Sequence, residues 1–141
     1  MWKPGIERAE PRSRSLLNCE CGEKLANADF DTQATWTLGT GWSIVGGTAI
    51  KAAGIASDFE QPFAFVDGGL YRIEVVLSQV IAGSMRVRLA GTTFIDGVAR
   101  SSNGTFIDTL TVAGHTALCI TADATFAGRI ERVSLRLRRL A

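Results

Sequence analysis

One stretch decides the fold class of this sequence: Asn27-Ala-Asp-Phe-Asp-Thr-Gln-Ala-Thr-Trp-Thr-Leu-Gly-Thr-Gly-Trp-Ser-Ile-Val-Gly-Gly-Thr-Ala-Ile50. Its two tryptophans, Trp36 and Trp42, flank a Gly-Thr-Gly turn, and each begins a short run of residues that favour β-strands. The pair Gly46-Gly47 then turns the chain into another short run. Short strand signals separated by glycine turns predict a tight β-meander.

Length and charge limit the remaining possibilities. The chain has 141 residues, which fits one domain with a single core. Its formal net charge is +1, so we expect no nucleic acid partner, because phosphate binding needs a surplus of Lys and Arg. The longest apolar runs, such as Val75-Val-Leu77, are far shorter than the roughly 20 residues of a membrane-spanning helix. We therefore expect no membrane partner, and the first residues also lack the apolar core of a secretory signal.

Strand signals separated by turn residues recur from residue 25 to the end of the chain. In Leu70–Ser78 the residues at 71, 73, 75 and 77 are apolar and should face the core, and Met85–Leu89 predicts a second half-buried strand antiparallel to the first. Ala113-Gly114 predicts a hairpin between residues 105–112 and 115–121. In the last strand, a register change near Glu131-Arg132 would bring Ile130 into the core. Eight to ten short strands with very little helix predict an all-β, antiparallel jelly-roll β-sandwich, which we place at residues 25–141.

Residues 1–24 differ from the rest of the chain. They contain two prolines, mixed charges and a single apolar pair, Leu16-Leu17, so we assign them to an extended N-terminal arm. Composition leaves two interpretations open, a disordered terminus or a peg that docks onto a neighbouring subunit. For the docking interpretation, the expected partner-binding residues of the arm are Trp2, Arg8, Arg12, Arg14, Leu16 and Leu17.

Several phrases together resemble a known family. They are Trp36-Thr-Leu-Gly-Thr-Gly-Trp42-Ser-Ile, Gly69-Leu-Tyr-Arg-Ile-Glu-Val75, Ser84-Met-Arg-Val-Arg-Leu-Ala-Gly-Thr92 and Phe126-Ala-Gly-Arg-Ile-Glu-Arg-Val-Ser-Leu135. Over about residues 25 to 137 the sequence resembles the carbohydrate-binding-module-like jelly rolls, of the kind found in structural proteins of tailed bacteriophages and phage-like particles. A sandwich of this type carries many unrelated functions, so the resemblance is more specific for fold than for function.

The resemblance implies two functions of different classes. The first is a non-enzymatic structural component of a phage or phage-like particle, in the head or the tail, located in the virion and docking on capsid or tail subunits through its arm. Such a component is expected to be a homo-oligomer. The alternative is a carbohydrate-binding module that recognises a cell-surface or extracellular glycan. The N-terminal arm and the absence of an attached catalytic module favour the particle component.

Two groups of residues are candidate binding sites. Trp36 and Trp42 could stack on a sugar ring, although their position at strand starts favours a role in the core. The arginine pair Arg86 and Arg88 lies on one face of its strand. Arg132, Arg136 and Arg138 share one face of the last strand. If the two strands are neighbours, they form a basic face for an acidic partner or an anionic polysaccharide, and a solvated outer face is the alternative.

We predict no catalytic site, no metal site and no cofactor. Calcium is a weaker alternative, with ligands drawn from Asp29, Asp31, Asp58, Asp67 and Asp123, but their spacing favours turn and solvent roles. Cys19, Cys21 and Cys119 favour free thiols over a zinc site completed by His115. That histidine has no nucleophile motif beside it, and a glycosidase pair would have to use Glu60 and Glu74.

Overall fold

The structure, a computed structural model, describes residue 25, residues 27–30 and residues 35–140, with side chains through residue 138. Ten strands follow one another in this part of the chain. They are β1 (Thr37–Leu38), β2 (Trp42–Val45), β3 (Thr48–Lys51), β4 (Ser57–Pro62), β5 (Gly69–Ala82), β6 (Met85–Gly91), β7 (Phe94–Asp96), β8 (Gly104–Thr111), β9 (His115–Ala122) and β10 (Ala127–Leu140). No helix occurs among these residues.

The strands form two five-stranded antiparallel sheets packed face to face. Sheet A has the order β1-β4-β9-β6-β7, and sheet B has the order β2-β3-β10-β5-β8. Alternation along each strand places one set of side chains between the sheets, as β5 shows with Tyr71, Ile73, Val75 and Leu77, all of them buried. The predicted all-β jelly-roll sandwich is therefore confirmed.

The predicted irregularity in the last strand is also present. The pairing of β10 with β5 shifts between Ile130 and Arg132, and Ile130 is completely buried. One extra residue at this point changes which side chains face inward, so Ile130 and Val133 both join the core.

The predicted tight meander is half correct. Strands β2 and β3 form a hairpin across Gly46 and Gly47, whose φ angles of 60° and 78° fit a type I′ turn. The preceding turn does not join paired strands, because β1 pairs with β4 in sheet A whereas β2 lies in sheet B. Gly39 to Gly41 therefore carry the chain from one sheet to the other.

The predicted hairpin of residues 105–112 and 115–121 is wrong for the same reason, because β8 and β9 belong to different sheets. Strands β5 and β6 are likewise consecutive in the chain and lie in different sheets. Gly83 makes the crossing from β5 to β6 at φ 76°, where an added Cβ would lie 2.2 Å from the backbone nitrogen of Phe126. Glycine is required here by both the backbone angle and the close approach.

An aromatic cluster fills the end of the core beneath the Trp-containing stretch. Phe59 lies at its centre, with ring centroids 5.0 Å from Trp36, 4.5 Å from Trp42 and 5.8 Å from Phe30. Phe126 contacts the same cluster through Trp42. Such tilted and edge-to-face pairs add stability beyond the area they bury. The stretch that predicted the fold thus closes one end of the core.

No helix long and apolar enough to span a membrane is present among the described residues. The predicted arm, residues 1–24, lies outside the described part of the chain. Its boundary with the sandwich domain stays a prediction.

Candidate functional site

The register of sheet A arranges its outward side chains in three rows across the sheet. Because Phe59, Leu118 and Val87 point into the core, their chain neighbours point outward. The first row contains Asp58, Thr121 and Arg86, the second contains Thr37, Glu60, Cys119, Arg88 and Asp96, and the third contains Pro62, Ala117, Ala90 and Phe94. The first and second rows are therefore mainly polar, and the third row is apolar. We call this surface the A face.

A guanidinium–carboxylate cluster holds the polar rows in place. Arg88 donates from Nε to Asp96 Oδ1 at 2.7 Å and from Nη2 to Oδ2 at 3.2 Å, and Arg86 Nη1 lies 3.6 Å from the same carboxylate. The hydrogen bond from Arg88 is the largest cause of the lowered pKa of Asp96, and it outweighs the opposing effect of burial. The same bond raises the pKa of Arg88. Both groups therefore stay charged and fixed at neutral pH.

The apolar row ends in an exposed aromatic ring. Phe94 is 65% exposed, and the guanidinium of Arg88 lies over its ring at 4.8 Å from the centroid. Ala90 and Ala117, its neighbours along the row, have small side chains. An aromatic ring with one free side next to hydrogen-bonding groups is a suitable surface for the apolar face of a sugar.

A cavity of about 230 Å³ opens at the other end of the A face, beside Arg86 and Thr121. Asp123 lines its rim and accepts hydrogen bonds from the backbone and hydroxyl groups of Ser84 and Thr125. Burial acts to raise the pKa of Asp123, but these donors outweigh burial and the pKa is lowered. The side chain of Arg86 is 43% exposed. Its remaining donors can therefore reach a ligand in the cavity.

The sequence did not single out Phe94 as a site residue. The available signal was the alternation of Phe94-Ile95-Asp96, in which the middle residue packs against the core and the outer two face away from it. Only the register shows that two alanines lie next to the ring.

The two tryptophans do not form a sugar platform. Each is 6% exposed, and their rings pack against Phe59. Their indole N–H groups are also engaged, since Trp36 donates to Asn27 O at 3.0 Å and Trp42 donates to Ser57 O at 3.3 Å. A ring enclosed in this way has no face free for a ligand, which agrees with the alternative role in the core.

The predicted arginines do not form one basic face. Arg86 and Arg88 lie on β6 in sheet A, whereas Arg132, Arg136 and Arg138 lie on β10 in sheet B. Outward side chains of the two sheets point to opposite sides of the sandwich, so the two groups are separated by the core. Arg132 instead lies 3.0 Å from the carboxylate of Asp29. The predicted arm residues Trp2, Arg8, Arg12, Arg14, Leu16 and Leu17 lie outside the described residues.

The candidate metal ligands that the structure describes do not form a cluster. Asp67 accepts a hydrogen bond from the backbone N–H of Gly114. Asp29 is paired with Arg132, and Asp123 accepts from Ser84 and Thr125. The other candidates, Asp31, Cys19 and Cys21, lie outside the described residues. No group of three His, Cys, Asp or Glu side chains suited to a metal ion occurs in the part of the chain that the structure describes.

The remaining candidate catalytic groups are also separated. Glu60 lies on the outer face of sheet A and Glu74 on the outer face of sheet B, so they cannot act as a pair on one glycosidic bond. The thiol of Cys119 donates to Glu60 at 3.5 Å, and burial raises its pKa to about 12. The ring of His115 is buried and accepts from the backbone N–H of Ala113 at 3.0 Å through Nδ1.

No family model and no curated protein matches the sequence. Solved structures do match. The CBM22-1 xylan-binding domain from Paenibacillus barcinonensis Xyn10C gives a TM-score of 0.61 at 13% identity, covering 88% of this chain and 99% of that one. A carbohydrate-binding module of family 29 gives 0.53 at 16% identity, covering 83% and 90%.

The chain has the fold of the carbohydrate-binding-module jelly rolls. The resemblance found in the sequence is therefore confirmed at the level of fold. The enzymatically active domain of bacteriophage CBA120 tailspike protein 4 also matches, with a TM-score of 0.56 at 13% identity over 82% of this chain. The chain spans only 21% of that tailspike chain.

Proposed function

We propose that this protein is a non-enzymatic glycan-binding module whose ligand lies across the A face. The observation that supports this most directly is the exposed ring of Phe94 beside the fixed cluster of Arg86, Arg88 and Asp96. The ring of Phe94 and the two neighbouring alanines would contact the apolar face of one sugar. The guanidinium and carboxylate groups would bind the hydroxyls of the next sugar units. Because these groups are already held in place, little side-chain freedom is lost on binding.

The test is calorimetric titration of a panel of soluble oligosaccharides into the wild-type protein and two variants. Phe94→Ala should weaken binding about tenfold, since a stacked aromatic contributes about 1.4 kcal/mol. Ile107→Ala removes an exposed apolar side chain from the opposite sheet and should leave affinity unchanged. Absence of saturable binding across the panel, or equal effects of the two variants, would contradict the proposal.

A second candidate is a structural component of a phage or phage-like particle, and the match to the tailspike domain supports it. In this role the sandwich is a rigid body on the virion, and residues 1–24 dock on neighbouring capsid or tail subunits, with homo-oligomerisation as the expected state. Deleting residues 1–22 and measuring occupancy in assembled particles tests the docking role. Occupancy equal to that of the wild type would show that the arm is not the anchor.

A further inference from the structure

A second cavity, of about 190 Å³, lies on the outer face of sheet B, opposite to the A face. It forms where β5 bulges against β10. Ser78 pairs with Arg129 and Ala82 pairs with Ala127, so residues 79–81 of β5 lie opposite the single residue Gly128. Bulges of this kind re-aim side chains and are enriched next to binding sites.

The backbone of the bulge is strained and is held in place by its surroundings. Gln79 has a φ of 50°, which non-glycine residues seldom adopt. The next residue is fixed, since the backbone N–H of Val80 donates to Asn103 Oδ1 at 2.9 Å and an added Cβ on Gly128 would lie 3.1 Å from the Cα of Val80. Strain that the rest of the fold maintains is a feature typical of ligand sites.

The bulge exposes a large apolar side chain next to a cation. Ile81 is 84% exposed, and Ile50 lies directly beside Arg129 in the sheet. Arg129 has no carboxylate within ion-pair distance among the described residues. The nearest acid along the strand, Glu131, accepts hydrogen bonds from Thr48 and Ser78 instead. Lys51 also lines the cavity, but its side chain is buried and its ammonium group donates to the carbonyl of Ala52. The cavity therefore combines apolar walls with one available guanidinium group, that of Arg129.

We propose that this cavity is a second ligand site, which binds a sugar residue carrying a carboxylate, as in the uronic acid units of an acidic glycan. The guanidinium of Arg129 holds the carboxylate through paired hydrogen bonds. Ile50 and Ile81 contact the apolar face of the same ring, and the amide of Gln79 binds a hydroxyl. The site lies on the opposite side of the molecule from the A face, so its occupancy is independent of the ligand proposed there.

The experiment uses an oligomer of a hexuronic acid as probe, together with the same oligomer after chemical reduction of its carboxyl groups. Each is titrated into ¹⁵N-labelled protein while backbone resonances are followed. The acidic oligomer should shift the resonances of residues 79–81 and 128–130 and bind about tenfold more tightly than the reduced one, because a charge-assisted hydrogen-bond pair is lost on reduction. Arg129→Gln should remove this preference.

Arg138→Gln is the matched control, since Arg138 is an exposed arginine on the same strand, and it should retain the preference. Phe94→Ala should leave the shifts at the bulge unchanged, which separates this site from the A face. Shifts confined to the A face, equal binding of the two oligomers, or equal effects of the two arginine variants would each overturn the assignment. If the site at the bulge is refuted in this way while a glycan still binds at the A face, the function proposed above is unaffected.

Discussion

Replacing Trp42 by Phe separates a core role from a ligand role. The indole N–H donates to the carbonyl of Ser57 at 3.3 Å, and the ring packs on Phe59 at 4.5 Å between centroids. The substitution removes the ring nitrogen and two ring carbons. Loss of the N–H donor costs about 1 kcal/mol, and loss of the buried carbons costs about 0.8 kcal/mol each. We expect the free energy of unfolding to fall by about 2–3 kcal/mol.

The expected change is large enough to measure by thermal and urea denaturation. For a chain of 141 residues the entropy of unfolding is about 0.3 kcal/mol per kelvin, so Tm should fall by about 7–10 °C. Glycan affinity, measured below the transition, should not change. Phe94→Ala should do the reverse, with Tm nearly unchanged and affinity reduced. If Trp42→Phe abolished binding and left Tm unchanged, the assignment of Trp42 to the core would be refuted.

Because the pKa of Asp96 is lowered in the folded state, its contribution to stability is present above pH of about 4 and is lost as the pH falls through the folded pKa. When urea midpoints are measured at a series of pH values, the midpoint of Asp96→Asn should fall less between neutral and acid pH than the midpoint of the wild type. An equal fall in the two proteins would refute this prediction. The thiol of Cys119 has a pKa of about 12 and is 2% exposed. In a variant whose other two cysteines are replaced by serine, this thiol should react with a disulfide reagent at pH 8 only as fast as the protein unfolds. Labelling that is fast in the native state would contradict its burial. Asp108 is 9% exposed and accepts hydrogen bonds from Arg100 at 3.0 Å and from the backbone N–H of Val98 at 3.2 Å. Asp108→Ala should lower the free energy of unfolding by about 2–3 kcal/mol, because Arg100 is left without its carboxylate partner. A loss below about 1 kcal/mol in urea denaturation would show that the arginine finds another partner.

Local pattern predicted the strands because the period of two is a property of each strand alone. The alternate residues point inward as expected, namely Tyr71, Ile73, Val75 and Leu77 in β5 and Met85, Val87 and Leu89 in β6. The glycine pair at 46 and 47 closes the expected hairpin. Pairing partners were predicted less well. The glycine turn at 46 and 47 joins two paired strands, whereas the turns at Gly83 and Gly114 carry the chain from one sheet to the other. The local sequence does not distinguish these two kinds of turn.

The candidate site was less predictable than the fold. Trp36 and Trp42 were conspicuous in the sequence, but burial shows that they belong to the core. Phe94 was inconspicuous because its importance depends on Ala90 and Ala117, which reach it only through the register of three strands. The arginines of β6 and β10 looked alike in the sequence and lie on opposite sides of the molecule.

The class of fold, the inward face of the long strands and the position of the hairpin turn could be predicted from the sequence, because each depends on residues within one strand or one turn. Three other properties are visible only in the folded chain: the sheet that each strand joins, the exposure of the Phe94 ring, and the place where Arg129 lies beside Ile50 and Ile81. These properties depend on contacts between residues far apart in the chain. Alternation marks an inward face identically in either sheet, so it carries no information about the partner across that face.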